Sequence, residues 1–139
     1  MDKEKLLYTK AYLKAKGKML PKFMEENVQH WSTRLYMGDM LYLLHKSQEA
    51  YELIKEVYEE KRFTFDKEMY SDYEEYLIEK VKFLMKLASL EIEVTGQVKK
   101  SIAYLDEAIA LLDSAESVYP YVAPSEIEHL KASYLKRLA

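Results

Sequence analysis

Residues able to carry out chemistry are few in this chain. There are three histidines, His30, His45 and His129, and no cysteine. Without cysteine there is no disulfide, no thiolate metal site and no thiol nucleophile. Glu126 and His129 stand one helical turn apart, the spacing at which a carboxylate and an imidazole can reach one metal ion. A carboxylate-bridged di-metal site needs two such pairs and two further Glu, and the sequence offers one pair. Glu26 and His30 share a helix face at a spacing of four, which is a different pattern. The three glycines are isolated, so no glycine-rich loop can cradle a phosphate. No Gly-flanked serine forms a nucleophile elbow. Composition and spacing therefore predict no catalytic residue, no metal and no cofactor.

The elements that must position these residues are helices. Gly and Pro number three each in 139 residues, too few for the turns an all-β fold requires. Leu, Ala, Glu, Lys and Met, which keep their rotamer freedom in a helix, are abundant. The expected fold is all-α, one domain spanning 1–139, long enough to bury a core without covalent staples. The thirteen tyrosines fit helix seams near the surface, with the ring buried and the hydroxyl at a wet edge. Trp31, alone on an apolar stripe, reads as core.

Periodicity lays out the order of elements. A first helix runs from Lys3 to Lys16, with Leu6 and Leu13 on one stripe beside Ala11 and Tyr12, and Gly17 placed for a left-handed stop. Pro21 suits the first turn of a second helix, which runs to about His45 with Met24, Val28, Trp31, Leu35, Gly38 and Tyr42 at intervals of three and four. Ala50, Leu53, Ile54, Val57 and Tyr58 mark a third. Arg62 to Tyr70 has no helical period and forms the main internal joint. Ser71 with Glu74 matches a capping box opening a helix that carries Tyr73, Leu77, Val81, Leu84, Ala88 and Ile92 and stops at Thr95-Gly96. Val98, Ile102, Leu105, Ile109 and Leu112 mark the next helix, with Ala108 and Ala115 as its small contact residues and Pro120 and Pro124 at its end. Ser125 with Glu128 forms a second capping box for a last helix bearing Ile127, Leu130, Tyr134 and Leu138. The layout is two antiparallel helical hairpins plus N- and C-terminal helices.

Within the first hairpin, Gly38 in the string Tyr36-Met37-Gly38-Asp39-Met40-Leu41-Tyr42 is followed twelve residues later by Ala50, then Ile54 and Val57. Small residues on facing helices let backbones approach while bulky ones fill the grooves beside them. This segment resembles a tetratricopeptide repeat. The second hairpin fits the same frame, with Ser89 for Gly38, Ser101 for Ala50, Ala108 for Val57 and Gly96 at the turn. The resemblance covers residues 31 to 62 and 82 to 113. It departs from the family in the 51-residue offset between units, in Arg62 and Asp113 where a closing Pro is usual, and in the length of the leading helices. A superhelical stack and a compact helical bundle are both compatible with this pattern. By the family's pattern Leu35, Asp39, Tyr42, Lys86, Leu90 and Glu93 would line a concave partner-binding surface. The branch that clamps a peptide carboxylate carries Lys and Asn where Leu35 and Asp39 stand, so the resemblance does not extend to that activity. Periodicity, in contrast, puts Leu35 and Tyr42 on a buried stripe.

Met1 to Lys22 holds seven Lys against Asp2 and Glu4, a local +5 in a chain of net −3. The remaining −8 repels nucleic acid. Met40-Leu41-Tyr42-Leu43-Leu44 is the longest aliphatic stretch and is far short of a membrane span, and the charged N-terminus lacks the apolar core of a secretory signal. The resulting expectation is a cytoplasmic, non-enzymatic protein–protein interaction module, whose partner is another protein or a second copy. Two alternatives come from other classes: a small helical-bundle enzyme or ligand carrier, and a nucleic-acid-associated factor using Lys3, Lys10 and Lys14 with Tyr8 and Tyr12.

Overall fold

The computed structural model describes residues 2–15, 17, 19, 22, 26, 30–61, 65, 67 and 70–138. Pro21, Met24, Val28 and Phe63 lie outside the described residues, as do the side chains of Lys3, Leu6, Tyr8 and Tyr12. The fold is all-α, with no strand among the described residues. Its packing falls into two compact units, Met1–Thr64 and Phe65–Ala139, and their boundary lies inside the aperiodic Arg62 to Tyr70 joint.

In the first unit, α1 (Asp2–Ala15) packs on α2 (Trp31–Leu43), and α2 packs on α3 (Ser47–Glu59). Leu13 and Thr9 are buried while Leu7 is exposed. Gly17 takes a φ of 72° and its N–H donates to the Lys14 carbonyl at 3.0 Å, the left-handed stop expected there. The continuous helix expected from Pro21 to His45 is not found. His30 sits in a bend, and α2 starts after it, with the Arg34 N–H donating to the His30 carbonyl at 3.1 Å. Trp31, Leu35, Met37 and Leu41, which follow the bend, are all buried.

Helix α2 ends with the Lys46 N–H donating to Leu41 O at 2.9 Å and the His45 N–H to Tyr42 O at 3.0 Å. This is a Schellman stop, with His45 at the left-handed position (φ 62°) where Gly is usual. Ala50, Leu53, Ile54 and Val57 form the buried stripe of α3, the set expected from periodicity. Gly38 faces them. A Cβ there would fall 2.6 Å from Ile54 Cδ1 and 2.8 Å from its Cγ1, so only the absence of a side chain lets this seam close.

In the second unit, α4 (Tyr73–Thr95) packs on α5 (Val98–Leu112), which packs on α6 (Pro124–Leu135). Short 3-10 turns follow at Glu116–Val118 and Lys136–Leu138. The N-cap of α4 is Asp72, one residue beyond the expected Ser71. Asp72 accepts from the Glu75 N–H at 2.8 Å, and Glu75 accepts from the Ser71 N–H at 3.0 Å and from the Ser71 hydroxyl. Both Ser71/Glu74 and Asp72/Glu75 have capping-box spacing, and the ionised acceptor takes the cap. Gly96 ends α4 at φ 71°. The box expected at Ser125 and Glu128 is absent: Ala123 is the N-cap with no side-chain bond, and Pro124 opens α6 at its first turn, where a missing N–H costs nothing. Pro124 thus starts a helix and does not end one. Helix α5 has already stopped at Leu112, so Ala115 lies outside it, and the Tyr119 hydroxyl donates to the Leu112 carbonyl at 3.0 Å. Val118 and Val122 are buried beneath this loop.

Two substitutions test this account. Gly38→Ala should destabilise by about 1–3 kcal/mol through overpacking, offset by about 0.5–1 kcal/mol of helix propensity. Adding Ile54→Val, which removes Cδ1, should recover part of the loss, so a chemical-denaturation double-mutant cycle returns a favourable coupling of about 0.5 kcal/mol or more; strict additivity would contradict the close seam. His45→Gly should raise the unfolding midpoint, with a gain of about 0.5–1 kcal/mol from relief of the left-handed backbone.

Candidate functional site

Of the six residues expected to line one partner surface, two are buried. Leu35 is 5% exposed and Leu90 is 0% exposed, so both belong to the core. Asp39 and Lys86 are half-buried, while Tyr42 and Glu93 are exposed. Leu35, Asp39 and Tyr42 lie on α2 of the first unit, and Lys86, Leu90 and Glu93 on α4 of the second. The two expectations for Leu35 and Tyr42, core stripe and binding groove, divide between them: Leu35 is buried, and at the end of α2 Leu41 takes the buried place expected for Tyr42. Burial of the aliphatic side chain wins, since Tyr keeps a hydroxyl that is cheaper to leave in water.

Several polar groups that enter the interior are engaged in helix seams. In the first unit Arg34, 2% exposed, reaches across from α2 to α3 and donates from Nη2 to Glu56 Oε2 at 2.8 Å. In the second, Glu91 is fully buried on α4. Its Oε1 accepts from the Tyr104 hydroxyl of α5 at 3.1 Å and its Oε2 from the Thr95 hydroxyl at 2.6 Å. Ser101, also fully buried, donates from Oγ to the Ala88 carbonyl at 2.8 Å. Ser89 and Tyr134 join α4 to α6 through hydroxyls 3.2 Å apart. Lys131 of α6 meets Asp106 of α5 at 2.6 Å, and this hydrogen bond raises the lysine's pKa above its ordinary value.

Sequence reasoning passes over Arg34 and Glu91. A signal was present. Arg34 falls on the series Trp31, Arg34, Gly38, Leu41, and Glu91 on the series Leu84, Leu87, Glu91, each at the spacing of the buried stripe.

The residues considered for metal and nucleic-acid chemistry are dispersed. Glu126 and His129 are both exposed on α6. Glu26 is exposed and paired with Lys22 at 3.8 Å. Among the described residues no group of three His, Asp or Glu side chains converges to hold a metal ion, and no helix is long and apolar enough to cross a membrane. Lys10 and Lys14 are exposed on α1.

Three surface features remain. At the end of α2, Tyr42, Leu43 and Leu44 are 36%, 53% and 38% exposed in succession. At the start of α4, Phe65, Tyr70, Tyr73 and Tyr76 pack with ring centroids 5.6–6.1 Å apart; burial, with Tyr73 nearby, pushes the Tyr76 phenol up. At the α4–α5 turn, Gly96, Gln97, Val98, Lys99, Lys100, Arg137 and Leu138 line an open cleft of about 450 Å³.

No family model, no curated protein and no solved structure matches this chain. The likeness to tetratricopeptide repeats therefore rests on its small-residue spacing alone.

Tyr104→Phe removes one of the donors to a carboxylate held out of water. It should destabilise the protein by about 1–3 kcal/mol, the range for stranding a buried polar group, while Tyr121→Phe, at a ring that is 69% exposed, should stay within about 0.5 kcal/mol of the parent in urea titrations.

Proposed function

We propose that this chain is a non-enzymatic, cytoplasmic helical-hairpin module that binds another protein or a second copy of itself, in the manner of a tetratricopeptide-like adaptor. The observation that carries the reading is the succession of Tyr42, Leu43 and Leu44, exposed at the tip of the α2–α3 hairpin. Large apolar side chains scattered singly over a surface need no explanation, but three exposed in succession at one helix end offer a partner apolar area from several sides. Here it sits on a Schellman stop whose main-chain hydrogen bonds hold it, and Tyr is among the residues that contribute most at protein interfaces. The engaged state of Arg34, Glu91, Tyr104 and Ser101 supports binding over catalysis, because a catalytic group must be free to meet a substrate.

The test is Leu43→Glu with Leu44→Glu, assayed by light scattering for self-association and by cross-linking in cell extract for a foreign partner. The parent should form a dimer or a defined complex with cross-links at the tip. The double variant should lose it, with affinity falling about a hundredfold or more for two interfacial leucines, at unchanged helical circular dichroism. A parent that is monomeric and gives no cross-link at residues 42–46 would refute the reading.

A further inference from the structure

The cleft at the α4–α5 turn differs in chemistry from the apolar tip. Three of its seven lining residues are cationic and none is acidic. That is against the trend of the unit around it: Phe65–Ala139 carries 14 Asp and Glu against nine Lys and Arg, a net −5. Lys99 and Lys100 stand in the first turn of α5, which contains no acidic residue, and Arg137 comes from the C-terminal 3-10 turn. Elsewhere in the unit a cation on the α5–α6 seam, Lys131, has its carboxylate at 2.6 Å. Lys99, Lys100 and Arg137 make no ion pair among the described residues. The guanidinium carbon of Arg137 lies 6.0 Å from the centroid of the Tyr134 ring, and the Tyr134 hydroxyl is in turn within 3.2 Å of Ser89 Oγ. A ring tied to α4 thus backs Arg137.

Three cationic residues line one concavity, and an anion placed there is attracted by each of them. The geometry points to a binding site for a small phosphate monoester, with the phosphate taken by Arg137, Lys99 and Lys100. A guanidinium matches two phosphate oxygens at once and an ammonium supplies a point charge, so the set suits a dianion. Val98 and Leu138 give an apolar wall for the organic portion. A long polyanion is disfavoured, because beyond the cleft it would run along an acidic surface.

The protein is titrated with inorganic phosphate, glycerol 3-phosphate, sulfate and a Glu-rich peptide by calorimetry, with amide shifts recorded at Gly96, Lys100 and Arg137. Glycerol 3-phosphate should bind saturably and more tightly than inorganic phosphate. Lys99→Ala with Arg137→Ala should weaken it about tenfold or more, as loss of two charge-assisted hydrogen-bond donors requires. Lys67→Ala with Lys82→Ala, an equal loss of charge at exposed positions away from the cleft, should change it less than about twofold, the scale of a screened long-range effect. The cleft contains no histidine. Phosphate affinity should therefore fall toward pH 5, as the ligand's second ionisation near pH ~6 is reversed, while sulfate affinity stays level. Equal weakening by the two double variants, absence of saturation, or binding of the Glu-rich peptide without binding of phosphate would each overturn the assignment.

Discussion

Close approach of paired helices is the constraint on which the rest of the structure depends. In the first unit it is set by Gly38, whose missing side chain leaves room for the Ile54 side chain. In the second it is set by Ser101, whose hydroxyl reaches the main-chain carbonyl of Ala88 at 2.8 Å, a distance possible only when two helix backbones nearly touch. Buried hydroxyls are tolerable at such a contact because a carbonyl already bonded within its helix still has a second lone pair to offer. Once the seams close to this distance, long side chains have no place in them. Ala50, Ala88 and Ala108 are accordingly all fully buried, and the bulky Leu53, Leu84 and Leu105 stand beside them.

The same closeness decides where charge can go. Arg34 and Glu91 enter the interior only with partners supplied by the opposite helix, Glu56 in one case and Tyr104 in the other. Replacing such a group with a hydrophobe of similar size is often neutral, whereas stranding one member is costly. These contacts therefore specify how the helices register more than they stabilise them. They also commit the interior polar groups to architecture, which moves the chemistry available for recognition to the surface, at hairpin tips and turns.

Legibility in the sequence follows this division. The α3 stripe, the left-handed stop at Gly17, the end of α4 at Gly96 and a division of the chain near 62–70 were all readable, since each depends on local spacing or on one residue's backbone freedom. Misreadings arose where two local solutions coexist and the fold selects one. Ser71 and Asp72 both have a glutamate three residues on, and the carboxylate cap prevails. Pro124 can follow one helix or begin another, and it begins α6. Leu41 and Tyr42 are adjacent on α2, and which one is buried depends on the facing of α3, a tertiary fact absent from a one-dimensional pattern. The partner face expected by resemblance fails at Leu35 and Leu90 for the same reason. A repeat pattern locates small contact residues well, but the helix faces flanking them are assigned by whatever packs there.

The accessible features, in turn, were hidden from a sequence reading by different physics. Tyr42-Leu43-Leu44 is visible in the sequence as an apolar run, but helical geometry sends consecutive side chains in different directions, and only the end of α2 leaves all three in contact with water. The basic cleft unites Lys99 and Lys100 with Arg137 across 37 positions in the chain, in a region whose overall charge is negative. Net charge is the wrong guide to such a place. At physiological salt the screening length is about 8 Å, so a bound anion senses the cations that line the cleft and little of the acidic surface beyond, while a polymer spanning several screening lengths senses both. A surface can thus repel a long polyanion as a whole and still hold a small anion at one point.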